Sequence, residues 1–168
     1  MADAPPSAPL LLASTSPQRK AILEQLHIPF DAVAPKYEES NPEIADAVEV
    51  VRAHAREKAR SVADIADDRP VLGVDTAVVL DGRIFGKPSG ASDAERMLER
   101  LSGQTHLVIS GLCLLTPAWE VVEHESTRVL FRDLTPRDLA AYVAGGEWEG
   151  RAGAYAIQGR GAGLVRCI

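Results

Sequence analysis

Asp75 interrupts an apolar run, with Val71-Leu72-Gly73-Val74 before it and, after Thr76, Ala77-Val78-Val79-Leu80. A stretch of this composition between Pro70 and Asp81-Gly82 predicts a buried strand. An ionised carboxylate there is costly unless it is paired, hydrogen-bonded or bound to a metal. Asp75 is therefore read as a working residue, suited to accepting a proton or holding a cation.

Further groups along the chain suit the handling of an anion. Ser14-Thr15-Ser16-Pro17-Gln18-Arg19-Lys20 lies between a predicted strand and a predicted helix, where free amides, hydroxyls and two cations could cradle phosphate. Glu57-Lys58 follows in a long helix, with Lys58 bordering its apolar stripe. Lys87, in Gly86-Lys87-Pro88, could return near Asp75 if the two strands around Asp81-Gly82 pair as a hairpin. Late in the chain, Ala152-Gly153-Ala154-Tyr155-Ala156-Ile157-Gln158-Gly159 combines small residues, which admit a ligand to the backbone, with an amide at Gln158 that can read a nucleobase edge. Taken singly, a capped helix with surface cations and a solvated helix face account better for the first two features and a tight turn equally well for the last, whereas Asp75 with Lys87 favours anion chemistry over a structural ion pair.

The elements that would position these groups alternate. Leu10 to Ala13 reads as a strand. A helix follows from Pro17, with Ser16 able to cap it and Ile22, Leu23 and Leu26 turned inward. Pro29 to Val33 reads as a second strand and Lys36 to Pro42 as a polar loop. From about Pro42 to Asp67, Val48, Val51, Ala55, Ala59, Val62 and Ala66 recur every three or four residues, predicting a long helix with a narrow small-residue stripe. Then come the strand of Asp75, a return strand from Arg83 to Phe85, and a helix opened by a Ser92/Glu95 capping box with Ala94, Met97, Leu98 and Leu101 inward. Two strands, His106 to Leu115 and Val121 to Phe131, precede a helix from Thr135-Pro136 that buries Leu139, Tyr142 and Val143. Ala154 to Ile157 reads as a last strand. The fold class is α/β, a mixed sheet with helices against it.

The 168 residues suit one domain, 10–168, behind a disordered tail over 1–9. A hydrophobic fraction of 46% is ordinary for a globular chain, and 5% aromatic residues imply an aliphatic core. The net charge of −6 argues against a partner that is a nucleic-acid polymer, though not against a small anion. Met1 to Pro9 lacks the basic start of a signal peptide, and Leu10-Leu11-Leu12 is too short to span a membrane, so a cytoplasmic protein is expected. Cys113 and Cys167 read as free thiols, and the four histidines lack zinc-site spacing.

The order of these groups resembles the Maf family of nucleoside triphosphate pyrophosphatases. Its motifs are matched by Ser14 to Arg19, Glu57-Lys58-Ala59, Asp75-Thr76, Lys87-Pro88 and Ala152 to Gly159, over about Leu10 to Ile168. The resemblance implies an elongated mixed α/β sheet of the Maf/Ham1-like kind, with a cleft between two lobes. It implies hydrolysis of a nucleoside triphosphate to the monophosphate and pyrophosphate with a divalent metal, magnesium in the first place and manganese in the second. Asp75 would be the proton acceptor and, with Glu38, would hold the metal. Lys58 and Lys87 would act beside it, and Ser14, Gln18, Arg19, Thr76 and Gln158 would bind substrate. A homodimer is also implied.

Thr76 and Gln158 are similar to the subgroup acting on dTTP and UTP. Gln18 departs from it, standing where that subgroup has an arginine linked to specificity. This leaves a 7-methyl-GTP pyrophosphatase as an alternative, beside a nucleotide-binding regulator of septum formation. Family members also continue with a glycine–leucine–proline stretch and a terminal helix beyond the position of Ile168, so reduced stability is expected of these residues alone.

Overall fold

The computed structural model describes residues 9–40 and 46–168. The tail expected over 1–9 and the start of the long helix therefore lie largely outside the described residues. Among the described residues seven strands form one mixed sheet: β1 (Leu10–Ala13), β2 (Phe30–Val33), β3 (Val71–Leu80), β4 (Arg83–Phe85), β5 (Thr105–Leu115), β6 (Glu120–Phe131) and β7 (Val165–Cys167). Their order is β2-β1-β3-β5-β6-β7, with β4 paired to β3. The helices are α1 (Pro17–Gln25), α2 (Ala47–Arg60), α3 (Ala91–Leu101) and α4 (Pro136–Ala144). By its contacts the chain divides into two compact units, 1–39, 51–75 and 111–124 against 40–50, 76–110 and 125–168.

In the first unit β1 pairs in parallel with both β2 and β3, with Leu10 opposite Phe30 and Ala13 opposite Gly73. The small-residue stripe of α2 does what its spacing predicts. Val51, Ala55 and Ala59 are fully buried, and Ala55 and Ala59, with Val62 just past the helix end, join Leu11, Ala13, Val71 and Cys113 in one aliphatic core. Two glycines make the close approach possible. A Cβ on Gly73 would fall 2.0 Å from the Ala55 carbonyl oxygen, and one on Gly111 would fall 2.3 Å from that of Val51. The helix is shorter than its apolar pattern, ending at Arg60 and giving way to a 3₁₀ turn over Ala63–Ile65.

The second unit is built around Val78, Leu80, Phe85, Leu98, Leu101, Phe131, Leu139, Tyr142 and Tyr155. Asp81 and Gly82, with φ of 50° and 74°, make the tight turn expected between β3 and β4. Thr135 caps α4 in a reciprocal box with Asp138.

Four local expectations are corrected. Ser16 stands before α1 but makes no side-chain cap; its hydroxyl turns to Gln18 Oε1 at 3.1 Å. Of the inner face expected for α1 only Leu23 is buried, because Ile22 lies about 100° further round the helix and Leu26 falls beyond its last turn. Ser92 lies inside α3 rather than capping it; the Asp93 carboxylate instead accepts from the Ser89 backbone and hydroxyl at 2.9 and 3.1 Å. Ala154 to Ile157 is not a strand. Gly153 and Ala154 are both left-handed, with φ of 64° and 62°, so the chain coils through a 3₁₀ turn at Ala152–Ala154.

Candidate active site

Alternation along β3 puts Asp75 on the same face as Val71 and Gly73, the face on which α2 lies. Because Gly73 draws α2 close to the sheet, two α2 side chains one turn apart, His54 and Lys58, reach Asp75. Lys58 Nζ donates to Asp75 Oδ1 at 2.6 Å, and His54 Nδ1 lies 3.3 Å from Asp75 Oδ2. An ionised carboxylate only accepts, so Nδ1 is the nitrogen that carries the proton in this contact. Lys58 also pairs with Glu39 Oε1 at 2.5 Å. Asp75, Lys58 and His54 are 7%, 5% and 4% exposed, so this is charge held away from water.

The ring of Tyr37 meets that of His54 edge-on, with centroids 5.7 Å apart. Burial, and then the negative charges of Glu57, Asp75 and Glu39, hold the Tyr37 hydroxyl above its usual range. The local field is thus acidic in spite of Lys58. Two carboxylates face one ammonium, and the surplus is negative.

Glu39, His54 and Asp75 each offer one ligand atom, and these atoms lie within 4.8 Å of one another. Two carboxylate oxygens, one imidazole nitrogen and a surplus negative charge fit a divalent cation. The family resemblance implied this acidic role for Glu38, which is exposed; the carboxylate gathered beside Asp75 is that of Glu39, the next residue. His54 was not singled out at all.

The register of β1 with β3 sets Ala13 beside Gly73, so Ser14 leaves β1 at the carboxyl end of the same parallel pair. In open α/β sheets that is the end where ligands bind. Ser14 is buried, and its Oγ accepts from the Ser16 amide at 3.2 Å and from Arg19 Nη1 at 3.1 Å. Arg19 and Gln18 are half-buried at the start of α1. Ser14, Arg19, Lys58 and Asp75 thus belong to the first unit together with Glu39 and His54.

Gln18 and Glu38 lie in that unit too, while Thr76, Lys87 and Gln158 belong to the second. Thr76 Oγ1 lies 3.3 Å from Ser110 Oγ. Lys87 is exposed on the loop after β4, and that loop is tied to the late small-residue stretch where the Gly153 amide donates to the Gly86 carbonyl at 3.1 Å. Gly153 has no room for a side chain, since a Cβ would press on Val78 at 2.8 Å. Gln158 is exposed just before a turn fixed by Glu147, whose carboxylate accepts from the Arg160 and Gly161 amides at 3.1 and 3.2 Å.

The sequence pattern of one family, described as Maf-like protein, matches residues 9–168. Similar relatives carry the name dTTP/UTP pyrophosphatase, and two of them illustrate the likeness. That of Nitratidesulfovibrio vulgaris is 48% identical over 162 residues, covering 95% of this chain and 77% of the relative. That of Gloeobacter violaceus is 45% identical over 160 residues, covering 95% of this chain and 84% of the relative. Among solved structures, the Ham1 protein of Staphylococcus aureus aligns with a TM-score of 0.49 at 15% identity, over 75% of this chain and 73% of that one.

Proposed function

The chain belongs to the family of Maf-like proteins, and we propose that it hydrolyses dTTP and UTP to the monophosphate and pyrophosphate. The observation that carries this reading is Asp75, a carboxylate buried against Lys58 at 2.6 Å on the strand next to the one that leads into Ser14 and Arg19.

Asp75 orients a water for in-line attack on the α-phosphorus and accepts its proton; pyrophosphate leaves. Lys58 anchors the Asp75 carboxylate through Oδ1 and spans to Glu39, so the acceptor is fixed before substrate arrives. Arg19, with the Ser14 hydroxyl, supplies charge and donors to the phosphates, and Lys87 has the same role. Thr76 and Gln158 bind the nucleoside, Gln158 through its amide, and Gln18 contributes to the choice of base. Glu39 and Asp75 would hold a divalent cation, magnesium in the reading the family resemblance favours, which when bound neutralises phosphate charge.

A homodimer in the cytoplasm completes the proposal. No helix among the described residues is long and apolar enough to cross a membrane.

The test is pyrophosphate release from dTTP, UTP, CTP and 7-methyl-GTP in the presence of magnesium or manganese. Preferential release from dTTP and UTP supports the reading. Preference for 7-methyl-GTP would move it to the modified-purine alternative that Gln18 leaves open, and binding without release would turn it to the regulatory one.

A further inference from the structure

We propose that His54 is a direct ligand of the active-site cation and tunes this site towards a nitrogen-accepting metal such as Mn2+ in preference to Mg2+. The inference rests on the hydrolase reading for the location of the cation, and adds to it a residue and a selectivity.

Asp75 Oδ1 is committed to Lys58 at 2.6 Å. That leaves Oδ2 as the oxygen a cation would share, and the group facing Oδ2 is the His54 imidazole, with Nδ1 at 3.3 Å. His54 is buried, so its nitrogen does not reach Oδ2 by chance from a mobile surface position. It is carried by α2, which Gly73 seats against the strand, and its ring is packed edge-on against Tyr37. A ligand on a packed helix with an oriented ring is preorganised. Metal would take the place of the Nδ1 proton in the contact with Asp75, and the neutral imidazole would carry its one proton on Nε2 instead, the other tautomer of the same ring.

The donor set then decides the ion. Mg2+ is a hard cation that prefers six oxygens and keeps several of its waters. Mn2+ shares the liking of Mg2+ for oxygen, yet it opens the first-row series in which affinity for a mixed N/O site grows, so an imidazole in the donor set favours it over Mg2+. With Glu39 and Asp75 alone the site would be all oxygen; His54 makes it mixed.

The experiment uses the full chain, wild type and the variants His54→Gln and His54→Leu, with thermal melts to establish that each is folded. His54→Gln keeps a donor towards Asp75 and so separates ligation from packing. Mn2+ binding is followed by electron paramagnetic resonance, alone and with α,β-methylene-dTTP, and the bound ion is probed by spin-echo modulation for directly coordinated imidazole nitrogen. Mg2+ is measured by competition. The expected result is nitrogen modulation in the wild type that both variants lose. Mn2+ affinity should fall at least about tenfold in the variants, and Mg2+ affinity should change by less than about threefold.

Absence of nitrogen coupling in the wild type, its persistence in the His54 variants, or no bound Mn2+ in either arm overturns the inference. Should neither variant fold, the wild-type spectrum decides. Pyrophosphate release is scored separately. Release without nitrogen coupling would sink the role of His54 and leave the hydrolase reading intact; nitrogen coupling without release from any triphosphate would do the reverse.

Discussion

Lys58 donates to Asp75 Oδ1 at 2.6 Å, from a helix to the strand beneath it, and both side chains are buried. The same ammonium meets Glu39 at 2.5 Å, so one cation serves two carboxylates in a place water barely reaches. Removing either partner of a buried pair leaves the other uncompensated. Lys58→Met should destabilise the protein by about 3–5 kcal/mol, because it strands two negative charges. Asp75→Asn should destabilise it less, since Lys58 keeps Glu39. Urea denaturation of the two single variants and the double variant should give a coupling energy of about 1–3 kcal/mol. Additive effects would mean that the pair is not a unit.

The site also depends on a contact that contains no functional group. A methyl group on Gly73 would overlap the Ala55 carbonyl, and one on Gly111 the Val51 carbonyl. Both obstacles are helix backbone, which cannot swing aside as a side chain can. Gly73→Ala and Gly111→Ala should each destabilise by about 1–3 kcal/mol, towards the upper end because backbone is the obstacle. Gly163→Ala, with nothing within 4 Å of the added carbon, should stay within about 0.5 kcal/mol of the wild type. Thermal melts of the three variants check this, and equal melting temperatures would contradict the close seating of α2.

His106 gives the second unit a pH dependence. It is buried, with Nε2 2.8 Å from the Tyr155 hydroxyl and its ring edge-on to Phe131. Burial pushes its pKa down to about 4, against a smaller opposing pull from the Gln104 backbone. The unfolded chain therefore binds the proton first as pH falls from the ordinary histidine value. Stability present above about pH 6.5 declines on the way down to about pH 4, by about 3 kcal/mol if the whole difference is expressed. Melting curves between pH 7 and pH 4 should show this loss, and His106→Phe should flatten it. An unchanged slope in that variant would assign the dependence to other groups.

How much of this was legible beforehand follows from what each residue signals locally. Asp75 stood out because a carboxylate in a run of valine and leucine breaks the pattern of a buried strand. The Asp81-Gly82 hairpin was legible because turn chemistry is local. The stripe of α2 was legible because its period is. His54 gave no such signal: a histidine four residues before Lys58 reads as part of a solvated helix face until the helix is seated on β3. Glu38 and Glu39 are indistinguishable in sequence, and only the course of the loop decides which one turns to Asp75. Two serines with cap-like spacing failed to cap because neighbouring groups, Gln18 for Ser16 and Asp93 for the start of α3, supplied competing hydrogen bonds. The late stretch was misread as a strand because nothing in its composition announces that Ala154 is left-handed.

Pyrophosphate release from saturating dTTP and UTP by the wild type and by Asp75→Asn, with the circular dichroism of the two compared, tests the central claim most directly. Loss of a positioned base predicts a turnover at least about a thousandfold lower in the variant with the fold retained. A folded Asp75→Asn protein that turns over within about tenfold of the wild type would contradict it.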